Sequence, residues 1–179
     1  MTRVAVIGNA GGGKSTLARK LAAAHGLPLH EVDLLQWRPD WTPAPPDEVA
    51  AAYDQILADD AWIIDGWGTW DAVEKRFDLA DTVILVDLPL WVHYWWSAQR
   101  LIAAATGEQP ESPPGCPWLP VGERLFKLIW DIHQEMRPRL LAMVEMQRQA
   151  GKTVFHIQSR EDLEAFASIY CVGHVDSCD

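Results

Sequence analysis

The nine residues Gly8-Asn9-Ala10-Gly11-Gly12-Gly13-Lys14-Ser15-Thr16 have the types and order needed to hold a polyphosphate. They fit G-x-x-x-x-G-K-[ST] at every fixed position. The glycines let the backbone curl so that successive N–H groups point inward at phosphate oxygens. A helix starting at Lys14 would present its positive end to the same oxygens. Lys14 is expected to reach the β- and γ-phosphates of ATP, and the Ser15 hydroxyl to bind Mg²⁺. A glycine-rich turn with an incidental lysine would not sit, as this one does, between an apolar run and an amphipathic stretch.

Four carboxylates fall where phosphoryl transfer would use them. Glu31-Val32-Asp33 ends a second apolar segment, and two-residue alternation turns both acids to one side. One can orient or deprotonate an acceptor hydroxyl while the other holds a water on Mg²⁺; Asp33 is assigned to the acceptor. Asp65-Gly66 follows the apolar Trp62-Ile63-Ile64. A carboxylate there needs a cation or donors, and the glycine lets a ligand approach the backbone. Asp65 serves either the acceptor or a water on the metal. Asp87, after the apolar residues 82–86, has the form of a Walker-B ligand to Mg²⁺. The alternative is a helix cap, because Pro89 follows.

Transferring a phosphoryl group also calls for positive charge that arrives late. Arg100 and Arg124 flank a Pro- and Gly-rich stretch, residues 106–121, which is expected to be a mobile lid carrying them over the phosphates. Arg160 follows the last apolar run, where a base joined to the phosphates would lie, and can stack over it. Trp37, Trp41, Trp67 and Trp70 occur in loops beside Asp33 and Asp65; Trp37, Gly66 and Trp67 are assigned to the acceptor, since a flat apolar face suits a nucleoside. His93 and His133 are read as helix residues rather than catalytic ones.

Apolar runs at 4–7, 27–32, 62–64, 82–86 and 153–157 predict five buried parallel strands. Helical patterns occupy 16–25, 47–58 (Asp47 as cap), 72–79, 89–105, 123–149 with a break at Arg137-Pro138, and 161–168, while 39–46 is a Pro-rich loop. Alternating strands and helices imply an α/β fold with a parallel sheet covered on both faces, the ligand sitting beyond the strands' carboxyl ends. Gly8, Asp33, Asp65, Asp87 and Ser159 all fall at that rim. The whole chain, 1–179, is expected to form a single domain.

The 179 residues carry a formal charge of −10, from 15 basic and 25 acidic side chains. With no basic run, nucleic acid is an unfavourable partner. No apolar stretch reaches the roughly 20 residues that cross a bilayer, and the N-terminus lacks the form of a signal peptide, so a soluble cytoplasmic protein is expected. Cys116, Cys171 and Cys178 are odd in number and form no CxxC pair, which disfavours a disulfide framework or a zinc site.

The sequence resembles the adenylate-kinase-like P-loop kinases, and among them the bacterial group labelled DNA topology modulation proteins or adenylate kinase-related proteins. The resemblance extends to about residue 167. It rests on the phosphate loop, Val32-Asp33 followed by Trp37-Arg38-Pro39 and Trp41, and Trp62-Ile63-Ile64-Asp65-Gly66, then on Ala80-Asp81-Thr82, Asp87-Leu88-Pro89, Gly115-Cys116-Pro117 and Arg137-Pro138. It implies a five-stranded P-loop fold with an ATP site and a small lid near Arg100 to Arg124. Relatives carry Asp-Gly-Asn-Tyr where this chain has Asp65-Gly66-Trp67-Gly68, and Arg where it has Leu90. The arginine motif that holds AMP in adenylate kinases is also missing, so a neutral or hydroxyl-bearing acceptor fits better than AMP. The expected activity is transfer of the ATP γ-phosphoryl to a small molecule, nucleoside or nucleotide; the alternative is a nucleotide-dependent regulatory or DNA-associated module with weak ATPase activity.

Overall fold

The computed structural model describes residues 1–172, so Cys178 and the end of the tail lie outside the described residues. The chain begins with β1 (Arg3–Gly8), whose Val4 to Ile7 are fully buried, and passes through the phosphate loop into α1 (Lys14–His25). There follow β2 (Leu29–Glu31), α2 (Val32–Gln36) and a small antiparallel hairpin, β3 (Trp37–Arg38) and β4 (Thr42–Pro43), closed by a 3₁₀ turn over Pro39–Trp41. Then come α3 (Pro46–Ala58), β5 (Trp62–Asp65), α4 (Trp70–Leu79), β6 (Thr82–Val86) and α5 (Leu90–Ala105). The chain ends with α6 (Gly122–Asp131), α7 (Arg137–Gln149), β7 (Thr153–Ile157) and α8 (Arg160–Tyr170).

Five strands form one parallel sheet in the order β2-β5-β1-β6-β7. Central β1 places Val4 opposite Ile63 of β5 and Thr82 of β6. Alternate residues feed two cores. Ala5, Ile7, Ile64, Val83 and Leu85 pack against α3, α4 and α7 through Tyr53, Phe77 and Val144. Val4, Val6, Ile63, Ile84 and Val86 pack against α1, α5 and α8 through Leu21, Val92 and Phe166. Each such side chain stabilises the fold by about 1.5–3 kcal/mol. The result is a three-layer α/β fold whose loops after β1, β2 and β5 open at the same rim.

Several local expectations change. The second strand is shorter than 27–32, and Asp33 lies in the first turn of α2 rather than on a strand. Alternation therefore does not relate Glu31 to Asp33. Asp47 caps nothing: α3 starts at Pro46, whose fixed φ and missing N–H cost nothing at the first helical position. The stretch 123–149 is divided by a π turn at Ile132–Met136. Pro138 offers no N–H to the Gln134 carbonyl and its ring crowds that carbonyl, so the backbone widens just before it.

The lid-like excursion, residues 106–121, is docked rather than free. Asp40 N donates to Gly115 O at 2.8 Å, the Cys116 thiol to Arg38 O at 3.2 Å, and Trp41 Nε1 to Pro117 O at 2.7 Å. Asp40 and Trp41 adopt left-handed φ of 60° and 55° to make this docking, an unfavourable conformation for tryptophan that its contacts must offset.

At the opposite end of the sheet, Asp81 ties the start of β1 to β6. Its carboxylate accepts bonds from Thr2 N, Thr2 Oγ1, Arg3 N and Thr82 Oγ1. Burial works against its charge, but these donors win and hold its pKa at about 2, below the ordinary 3.8. A depressed carboxylate stabilises the fold above the unfolded-state pKa and loses that contribution as pH falls through the folded value. Asp81→Asn should therefore lower stability to urea at pH 6, and the gap from wild type should close as pH approaches 2.

Candidate nucleotide and acceptor site

The phosphate loop leaves β1 at Gly8 and enters α1 at Gly13, which has φ 77° and caps the helix without a side-chain bond. No acidic residue occupies the first turn of α1, so its N-terminal N–H groups are free for an anion. The underside of the loop is occupied. Three successive carbonyls each accept a side-chain donor: Gly8 O from Trp67 Nε1 at 2.7 Å, Asn9 O from Lys14 Nζ at 2.8 Å, and Ala10 O from His93 Nδ1 at 2.9 Å. These three bonds fix the loop's peptide planes, and of the N–H groups that follow, Ala10 N is taken by Asn9 Oδ1 at 2.8 Å. Helix α5 presses from behind. A Cβ on Gly11 would come within 2.2 Å of Ser97 Oγ, and at φ 67° only glycine is comfortable there. His93 is buried and its pKa falls to about 4, chiefly by desolvation, so it stays neutral and donates from Nδ1. Asn9 binds Ile129 O through its amide (2.9 Å), tying the loop to α6.

At the start of α1, Ser15 Oγ donates to Asp65 Oδ2 at 2.6 Å. Asp65 is only 3% exposed, and its Oδ1 has no partner among the described residues. Burial raises its pKa, opposed by Lys14 and the Ser15 bond. Lys14 is itself lowered by burial, with Asp65 and Asp33 pulling the other way. A hydroxyl beside a carboxylate with one unpaired oxygen is a donor set that fits Mg²⁺ or its waters.

Asp33 faces the same cleft. Desolvation raises its pKa, while Lys14 and Arg100 lower it. Glu31 does not stand beside it as a second free acid: Arg19 grips both its oxygens at 2.9 and 3.0 Å and also reaches Glu111 of the excursion. The Asp33 carboxylate lines the cleft and has no ion-pair partner among the described residues.

The cleft has a volume of about 680 Å³ and takes in Gly11 to Thr16, Asp33, Asp65 and Gly66, a size suited to small molecules. Trp37, Trp41, Trp67 and Trp118 line it. Trp41 meets Trp37 edge-on at 5.7 Å and Trp118 at 4.8 Å. Arg100 lies 4.6 Å over Trp118 and Arg124 5.6 Å over Trp37, so both arginines line the cleft without a carboxylate partner among the described residues. Trp70 points elsewhere, stacked under Arg139 at 4.2 Å. Sequence reasoning missed Arg19, His93, Trp118 and the buried Arg76, whose roles depend on long-range packing.

Two assignments are corrected. Asp87 is neither at the metal position nor a cap. Arg137 binds both its oxygens at 2.6 and 2.8 Å, His156 adds a bond at 2.9 Å, and Pro89 caps α5. Burial opposes the charge, yet Arg137 and His156 keep its pKa low. Asp65 holds the place beside Ser15 instead. Arg160 lies 5.7 Å over Trp96, which approaches Gly13, and neither Arg160 nor Trp96 lines the cleft. Asp87→Asn should cost about 2 kcal/mol of folding stability by breaking the Arg137 pair. The Mg²⁺ concentration needed for nucleotide binding should stay at the wild-type value; a raised requirement would return Asp87 to the metal.

Neither a protein-family model nor a curated protein matches the chain. Solved structures do. Shikimate kinase from Acinetobacter baumannii in complex with shikimate is 12% identical, with 94% of this chain and 90% of that one covered at a TM-score of 0.50. Shikimate kinase from Aquifex aeolicus is 13% identical over 93% and 94% at 0.49. A gluconokinase from Sinorhizobium meliloti is 16% identical over 94% and 93% at 0.46. The likeness is one of fold, and it lends nothing to the DNA topology label. The architecture is the three-layer α/β fold, with a five-stranded parallel sheet, that the Acinetobacter shikimate kinase structure shares.

Proposed function

We propose that this chain is a kinase that moves the γ-phosphoryl group of ATP to a hydroxyl of a small acceptor. The observation that carries the reading is a pinned phosphate loop opening into the same cleft as Asp33 and the tryptophan wall. The fold supports it, since P-loop kinases bind ATP in this way. Loop N–H groups and Lys14 would hold the β- and γ-phosphates. Ser15 and Asp65 would hold Mg²⁺, which neutralises charge on those oxygens when bound. Asp33 takes the proton of the acceptor hydroxyl as its oxygen bonds to the γ-phosphorus. The bond from that phosphorus to the β–γ bridging oxygen breaks, and ADP leaves with the bonding electrons. Arg100, half-buried and without a carboxylate contact, meets the charge spreading over the transferred group.

The cleft's charge agrees with an anionic donor. Lys14, Arg19, Arg100, Arg124 and Lys127 face Glu31, Asp33, Asp65, Glu111 and Asp131, so the cleft is balanced within a chain of net −10. The surrounding excess of acid keeps duplex DNA an unfavourable partner.

Purified protein screened for ATP consumption against nucleosides, nucleotides, sugars and hydroxy acids should show acceptor-dependent ADP release. Lys14→Ala should abolish turnover by weakening the hold on the phosphates. Asp33→Asn should leave ATP binding near normal and cut transfer by roughly 10²–10⁴-fold. Slow ADP release that no acceptor accelerates would favour a nucleotide-dependent binding module instead.

A further inference from the structure

Arg76, on α4, is 0% exposed, yet no carboxylate touches it among the described residues. Its Nη2 donates to Gly66 O at 2.9 Å and makes a longer contact with Trp67 O at 3.4 Å, while Nε and Nη1 have no partner. Burial lowers its pKa, with Tyr53 and Asp65 opposing through their charge, and a guanidinium stays protonated in such settings. Burying that charge against two carbonyls is costly, and an apolar side chain of the same volume would pack there more favourably. The residue therefore has a use other than filling space.

The turn it binds is the one that reaches the phosphate loop. Gly66 has φ 114°, a conformation with little preference of its own, so the turn needs an outside restraint. On one side of the turn Asp65 accepts the Ser15 hydroxyl at 2.6 Å. On the other, the Trp67 indole donates to Gly8 O at 2.7 Å. Trp67 thus sets the first of the three pinned carbonyls, and Arg76 sets Trp67.

We propose that Arg76 is a positioning residue for the nucleotide site, acting through Gly66 and Trp67 on the Gly8 carbonyl and hence on the direction of the loop's N–H groups. This deepens the proposed function, because it rests on the loop being an ATP site, although not on any acceptor. Arg76 itself does not line the cleft, although Gly66 and Trp67 do.

The test is a double-mutant cycle on the full chain, read by calorimetric titration with a non-hydrolysable ATP analogue and Mg²⁺, with thermal unfolding alongside. Trp67→Phe removes the indole donor and keeps the ring. Arg76→Gln removes the charge and three of the five N–H donors. Each should weaken analogue binding by roughly tenfold. The double variant should be no weaker than the poorer single, since both act on one carbonyl. Arg76→Lys, with three donors, should stay within about threefold of wild type. If Arg76→Gln fails to fold, Arg76→Met, which buries no charge, takes its place in the cycle. Losses that multiply in the double variant overturn the proposal, as does wild-type affinity in a folded Arg76→Gln. So does an Arg76→Lys as weak as Arg76→Gln. Lys14→Ala separates the two readings: if it leaves analogue binding intact, the loop is not an ATP site and the function fails first.

Discussion

The site depends on the direction in which a few peptide planes face. A loop can present its N–H groups to an anion only if the carbonyls on the same planes are satisfied behind it, since a buried unpaired carbonyl costs about as much as a lost hydrogen bond. Gly8, Asn9 and Ala10 meet this requirement with donors from three separate places: Trp67 after β5, Lys14 at the start of α1, and His93 on α5. Sheet order follows from the same need. β5 and β6 flank β1, so the segments that follow them can reach the loop from either side. The low pKa of His93 belongs to this arrangement as well. A protonated imidazole would still donate to Ala10 O, but it would add a buried cation close to Lys14, and desolvation removes that form.

Four acids near the rim sort into three groups according to the cation that meets each one. Asp87 is neutralised by Arg137 and hydrogen-bonded to His156 on the far side of β6, and it ties α7 and β7 to the sheet. Glu31 is neutralised by Arg19, which also reaches the excursion through Glu111. Asp65 and Asp33 touch no arginine. Lys14 favours the charged form of both. The acids left without a dedicated arginine are thus the two that share the cleft with Lys14.

Much of the fold was legible because it follows from simple periodicity. Five apolar runs became the five strands, and the phosphate motif lies where a strand-to-helix turn requires it. Strand-end logic located the rim yet could not sort its acids. Whether Asp65 or Asp87 stands beside Ser15 depends on Arg137, fifty residues beyond Asp87, and on which side of β1 each strand pairs. His93 was read correctly as a helix residue, but its bond to Ala10 O depends on the packing of α5 and leaves no local mark in the sequence. Arg76 is harder still. Nothing in Trp70–Leu79 distinguishes a fully buried arginine from the solvated lysine beside it until the helix is placed under the Gly66 turn.

The tryptophan wall gives the acceptor side its own constraint. Trp41 is the centre, touching Trp37 on its own hairpin and Trp118 on the excursion, and its indole N–H closes on Pro117 O. The excursion could lift from the phosphates only by breaking that contact along with the Asp40–Gly115 and Cys116–Arg38 bonds. The hairpin is short, only two residues to a strand, so moving with the excursion disturbs little of the sheet. A lid joined in this way carries Trp37, Trp41 and Trp118 as one surface. Residues 106–121 and the hairpin are thereby held together, and a displacement of one has either to break these bonds or to carry the other with it.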